Sequence, residues 1–171
     1  MTDTVVLVCG VQGSGKSWIC RQLTSQFEYV PHDQCWKHPI AKPKNQIDAK
    51  WGPPGCVSTH FETIVKRAED ADRPVITEVP FAEKKLKEDL EAEGLTVMPV
   101  FVIEDTATLR KRYFGRERKH LNKSAVTRAE GLPERAAEWD AFAGTSAEVL
   151  DHLKHLKGKP AAHKSQFALH R

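Results

Sequence analysis

Residues 10–17 read GVQGSGKS, a complete match to the pattern GxxxxGK[ST]. Its setting gives the pattern force. It follows Thr4–Cys9 (TVVLVC), an apolar run rich in β-branched residues that reads as a strand buried on both faces. It precedes Ile19, Leu23 and Phe27, whose spacing predicts a helix from Lys16 to about Gln26. In that order, glycines let consecutive N–H groups turn inward around phosphate oxygens, and the positive end of the helix adds its field. The chemistry assigns Gly10, Gln12, Gly13, Ser14 and Gly15 to a cradle for a nucleoside triphosphate. Lys16 falls to its β- and γ-phosphates and Ser17 to a Mg²⁺ ion.

The remaining chain alternates in the same way. Glu28–Val30 is a short second strand closed by Pro31, and Phe61, Ile64, Val65 and Ala68 form a helical stripe. Val75–Val79 is a third strand; Ala82, Leu86 and Leu90 stripe a helix that stops at Gly94; Leu95–Ile103 is a further buried strand. Asp105 or Thr106 caps a helix carrying Leu109, Arg112, Tyr113 and Arg116. Pro133 is expected in the first turn of a helix with Leu132, Ala136, Trp139 and Ala143 on one side. Thr145 and Glu148 have capping-box spacing ahead of a last helix with Val149, Leu153 and Leu156. The expectation is an α/β P-loop NTPase fold: a parallel sheet of about five strands, helices on both faces and an arginine-rich helical lid over about residues 110–128.

A length of 171 residues, with 40% hydrophobic and 29% charged, suits one compact domain over residues 1–158. Residues 38–57, with Pro39, Pro43, Gly52, Pro53, Pro54 and Gly55, read as an irregular insertion, and residues 159–171 as a flexible basic tail. The apolar runs are too short to span a bilayer and the first residues resemble neither a signal nor a transit peptide, so a soluble cytoplasmic protein with no membrane partner is expected.

Charge is unevenly spread. Residues 110–128 carry +7 and residues 152–171 carry +5, which leaves −9 for the rest against an overall +3. Segregation of this kind suits an anionic partner, a phosphate-rich ligand or nucleic acid, although solvated helix faces can also be basic. The four cysteines form no CxxC pair and read as reduced thiols, Cys9 and Cys20 as packing residues. Cys35, His38, Cys56 and His60 are chemically able to make a tetrahedral zinc site, with ordinary structural roles as the alternative.

A cradle for triphosphate leaves open what receives the phosphoryl group. The chain lacks a GTPase base-recognition signature and has no room for the assembly domains of motor ATPases, so a kinase is the economical reading. Phosphoryl transfer then needs an acid for the acceptor's proton, an acid for the magnesium shell, and cations on the phosphate oxygens. Asp33, just past the second strand, suits the first role, with a loop-capping aspartate as the alternative. Glu78, at the end of the third strand, suits the second, against a plain strand-end glutamate. Arg112 and Arg116, four apart on one helix face, suit the third. Arg118, Lys119, Lys123 and Arg128 would extend that surface toward the acceptor.

The loop Gly10–Ser17, Asp33 after the second strand, and Leu109, Lys111, Arg112, Arg116, Lys119 and Leu121, with Val126 and Arg128 beyond, resemble the 5′-kinase module of phage-type polynucleotide kinases, within the adenylate-kinase-like P-loop kinases. The resemblance covers about residues 4–143. It implies ATP as donor, Mg²⁺, a flexible arginine lid and a nucleic-acid hydroxyl as acceptor, with Asp33 as general base and Arg116 on the phosphates. The family places an arginine shortly after the base; here Lys37 would have to serve.

A phage kinase that phosphorylates the hydroxymethyl group of a modified pyrimidine in DNA is a related possibility. Trp36 and Trp51 would then stack an extruded base, or else serve as core or loop anchors. Two other readings compete: a small-metabolite kinase acting on, for example, a sugar acid, and a nucleotide-switched nucleic-acid-binding module without chemistry.

Overall fold

The computed structural model describes residues 1–32, 60–117 and 120–156. Asp33, Cys35, Trp36, Lys37, His38, Trp51, Cys56, Arg118 and Lys119, with the insertion and the tail, lie outside the described residues. The elements run β1 (Thr4–Gly10), α1 (Lys16–Gln22), β2 (Glu28–Tyr29), α2 (His60–Asp70), β3 (Val75–Pro80), α3 (Lys84–Ala92), β4 (Thr96–Val102), α4 (Thr106–Glu117), α5 (Lys123–Glu138), β5 (Phe142–Gly144) and α6 (Ser146–Lys154).

The five strands form one parallel sheet in the order β2-β3-β1-β4-β5. Every residue of β1 is buried, as a continuous apolar run demands of a central strand. Its alternation feeds two cores. Val5, Leu7 and Cys9 pack with residues of α2, α3, α4 and α5 on one face. Val6 and Val8 pack on the other with Ile19, Cys20 and Leu23 of α1 and with Val149, Leu150 and Leu153 of α6. Connections from β1 and β3 leave in opposite directions to β2 and β4, so a crevice opens at the strand C-termini beside β1. Register sets Glu78 of β3 opposite Val8 of β1, at the floor of that crevice.

Several local readings hold. Gly94 ends the α3 region with φ +88°, and Asp105, not Thr106, caps α4 by accepting hydrogen bonds from the Thr108 amide (2.8 Å) and hydroxyl (2.9 Å). Thr145 and Glu148 form the complete capping box of α6.

Others are corrected. Pro133 does not open a helix; it lies inside α5, which starts ten residues earlier at Lys123, where the Asn122 side chain accepts from the Ala125 amide at 2.7 Å. A helix-start preference was mistaken for a helix start, because packing of Ala125, Ala129, Leu132 and Ala136 carries α5 through its proline. Ala143 is not helical: α5 ends by Trp139, Asp140 turns the chain at φ +50°, and Phe142–Gly144 pairs with β4 as the fifth strand. Three residues are too few to show strand alternation in a sequence. The helix after the glycine loop stops at Gln22, short of Gln26, with Leu23 as its C-cap. Among the described residues no helix is long and apolar enough to cross a membrane.

Candidate active site

The glycine loop leaves the end of β1 and is pinned there by a two-way bridge. The Gly10 amide donates to Phe81 O at 3.0 Å and the Phe81 amide donates to Gly10 O at 2.7 Å. Gly13 (φ +83°) and Gly15 (φ +99°) both take the left-handed conformation that a side chain would strain. They also lie under neighbours: a Cβ on Gly13 would come within 3.2 Å of Leu109 O in α4, and one on Gly15 within 3.1 Å of the Ser146 Cβ in α6. The loop is thus wedged between α4 and the last helix.

Lys16 folds back over this loop. Its ammonium donates to Gly10 O at 2.7 Å and to Val11 O at 3.1 Å. Burial pushes its pKa down from 10.5 to about 8; the charge of Arg116 pushes the same way while Cys9 and Glu78 oppose.

Beside it, the Ser17 hydroxyl donates to Glu78 Oε1 at 3.3 Å and the Tyr29 hydroxyl donates to the same oxygen at 2.9 Å. Glu78 is buried, and its second oxygen, Oε2, has no hydrogen-bond partner among the described residues. Burial and Glu78 together push the Tyr29 phenol and the nearby Cys20 thiol well up, so both stay protonated. A buried carboxylate oxygen without a donor, next to a serine hydroxyl and an ammonium, fits a hard divalent cation with oxygen ligands. Ser17 and Glu78 are the residues that would hold Mg²⁺, directly or through its water.

Arg112 and Arg116 reach the site from α4. Arg112 Nη1 donates to Ser14 O at 3.2 Å and Gly13 O at 3.4 Å, and its Nη2 is 2.9 Å from Glu104 Oε2. Glu104, half-buried past the end of β4, also accepts from the Ser146 amide at 3.3 Å. Arg116 is looser: its Nε lies 3.5 Å from Glu117 and its guanidinium 5.7 Å from the Tyr113 ring.

These groups surround a cavity of ≈ 750 Å³ at the strand C-termini, lined also by Gln12, Trp18, Arg21 and His32. The structure therefore brings together Gln12, Gly13, Gly15, Lys16, Ser17, Glu78, Arg112 and Arg116, with Gly10 and the buried Ser14 in the loop behind.

Glu104, Tyr29, Trp18, Arg21 and His32 escaped the sequence reading. Glu104 follows a strand end by the same logic that singled out Glu78, so that signal was present. Tyr29 is ordinary strand content, and Trp18 and Arg21 look like any exposed residues of an amphipathic helix.

Of the four residues considered for zinc, only His60 is described. Its Nε2 donates to the Thr77 hydroxyl at 2.8 Å, since that hydroxyl donates in turn to Val30 O. Burial, with the His32 ring 4.7 Å away, pushes the His60 pKa down to about 3. Among the described residues no group of three or more His, Cys, Asp or Glu is placed to hold a metal ion.

No protein-family model matches the chain, and no curated protein matches it. Solved structures do. A gluconokinase from Sinorhizobium meliloti 1021 is similar at a TM-score of 0.57 and 19% identity, over 87% of this chain and 88% of that one. A sugar kinase from Janibacter sp. HTCC2649 is similar at 0.55 and 20%, over 90% and 92%. A shikimate kinase from Acinetobacter baumannii, solved in complex with shikimate, is similar at 0.52 and 11%, over 91% and 93%. At these identities the likeness shows the fold, which is the P-loop NTPase fold shared with these kinases.

Proposed function

We propose that this chain is an ATP-dependent phosphotransferase that moves the γ-phosphoryl group to the hydroxyl of an alcohol. The observation that carries the reading is the convergence of Lys16, Ser17, Glu78, Arg112 and Arg116 on one cavity beside the glycine loop. In this reading main-chain amides of residues 10–17 cradle the β-phosphate, and Lys16 leaves the loop carbonyls for the β- and γ-oxygens. Arg112 and Arg116 hold the charge that spreads over the transferring group. The acceptor oxygen forms a bond to the γ-phosphorus as the bond to the β,γ-bridging oxygen breaks, ADP leaves, and the hydroxyl proton passes to the carboxylate of Asp33. When bound, Mg²⁺ neutralises charge on the β- and γ-oxygens.

Two acceptor classes have support. The kinases of like fold carry names of small-molecule kinases, which favours a small hydroxylated metabolite. The exposed Arg110 and Lys111 of α4 and Lys123 and Arg128 of α5 favour a polyanionic acceptor such as an oligonucleotide. Labelled ATP with a panel of sugar acids, cyclic hydroxy acids, nucleotides and hydroxyl-ended oligonucleotides separates them. Label appears in one class and is lost in Asp33→Ala while ATP binding survives; a nucleotide switch without chemistry predicts no label in any acceptor.

A further inference from the structure

Besides the arginines of α4, the cavity has a wall that the transfer scheme does not use. It is made by the outward face of α1. Ser17 and Arg21 are four residues apart, so they share a helix face, and the Ser17 bond to Glu78 aims that face at β3 and β2. The inward residues Ile19, Cys20 and Leu23 are buried, which leaves Trp18 on the adjoining outward sector. Trp18 is 42% exposed and Arg21 is exposed, yet both line the cavity together with His32, two residues past Val30 on the β2 side. Among the described residues the side chain of neither Trp18 nor Arg21 makes a hydrogen bond or an ion pair.

The sheet order separates this wall from the other. Arg112 belongs to the helix that follows β4 and His32 follows β2, and the sheet sets β4 and β2 on opposite sides of β1. Lys16, Ser17 and Glu78 sit between them. With the triphosphate end of the donor met by the loop and α4, the α1 wall is the part of the cavity left to the acceptor.

We propose that Trp18 and Arg21 form the acceptor-selecting subsite, taking an acceptor that presents a flat or ring face to the indole and an anionic group to the guanidinium. The proposal rests on the phosphotransferase reading. An indole left wet at the wall of a charged cavity is matched by a ring stacked on its face, and a guanidinium without a counter-ion among the described residues is matched by a carboxylate or phosphate. Two sources share this chemistry: a nucleotide unit with base and phosphate, and a cyclic polyol acid with ring and carboxylate.

The test is a titration of the full chain preloaded with a non-hydrolysable ATP analogue, using a nucleoside 3′-monophosphate in one arm and a cyclic polyol carboxylate in the other, read by tryptophan emission and calorimetry. One arm is expected to bind and to change the emission, and that change is lost in Trp18→Phe. Affinity for that ligand falls about tenfold or more in Trp18→Ala, which loses the stacked face, and in Arg21→Gln, which loses a charge-assisted contact. Affinity for the ATP analogue is unchanged in all three variants, whose exposed positions leave circular dichroism and thermal midpoint as in the original chain. Binding in neither arm, binding unaltered by the variants, or a loss of analogue affinity overturns the subsite. Failure of the original chain to bind the ATP analogue at all overturns the phosphotransferase reading instead.

Discussion

Arg112 and Glu104 form an ion pair of 2.9 Å in which the carboxylate is 8% exposed, so the arginine lies against the phosphate loop already oriented rather than free in solvent. The same guanidinium bonds the carbonyls of Gly13 and Ser14, and the same carboxylate accepts the Ser146 amide. A cation held in place before its ligand arrives spends no ordering entropy when it meets developing charge.

The two arginines of α4 should therefore separate by stability. Arg112→Ala leaves Glu104 buried without its counter-ion and should lower folding stability by about 1–3 kcal/mol. Arg116, more than half exposed, should change stability by less than about 0.5 kcal/mol when replaced by alanine. Both should lower phosphoryl transfer by about 100-fold or more. Urea unfolding alongside a transfer assay checks the pair of outcomes.

The lowered pKa of Lys16 predicts a basic limb in nucleotide affinity. In the free protein the ammonium is half lost at about pH 8, whereas a bound triphosphate favours the charged form and raises that pKa. Binding then takes up a proton, and affinity falls as pH rises above about 8, by up to about tenfold per unit. Stability moves the other way. Between about 8 and 10.5 the unfolded chain holds the proton more tightly than the fold, so the free protein gains stability as pH rises through that window. Calorimetric titration in buffers of different ionisation enthalpy reads the proton uptake.

Tyr29 holds one oxygen of Glu78, whose other oxygen is buried without a partner among the described residues. Tyr29→Phe should raise the Mg²⁺ concentration needed for half-maximal nucleotide binding by about tenfold, the usual size of losing an outer hydrogen bond to a metal-binding carboxylate. Nucleotide affinity without Mg²⁺ should be unchanged, which distinguishes this outcome from a disturbed loop.

His60 makes the fold acid-sensitive. Its pKa is about 3 in the fold against 6.5 unperturbed, so the unfolded chain binds the extra proton first. Its contribution is complete above about pH 6.5 and is lost as pH falls from there toward 3, at up to about 1.4 kcal/mol per unit. Urea midpoints should drop along that limb, with a shallower slope in His60→Gln.

Legibility in the sequence followed how far each signal depends on neighbours. The cradle, four of the strands and the capping box of α6 rest on contiguous residues, and Thr4–Cys9 followed by GVQGSGKS carries strand, loop and helix in local form. Glu78 was legible because a strand end in a parallel sheet faces the crevice. β5 was not, since three residues beside β4 acquire their meaning only from pairing, and Pro133 misled because tertiary packing overrides a positional preference. Glu104 carried the same strand-end signal as Glu78, whereas Tyr29 acts through a residue 49 positions away, and no spacing rule reaches that far.

The central claim, that residues 10–17 grip a nucleoside triphosphate through Lys16, is tested most directly by calorimetric titration of Mg²⁺ and a non-hydrolysable ATP analogue into the original chain and into Lys16→Ala. Saturable binding at one site, weakened about 10- to 100-fold in the variant, is the result expected for loss of a charge-assisted contact to phosphate. No heat of binding in the original chain, or equal affinity in both proteins, would contradict it.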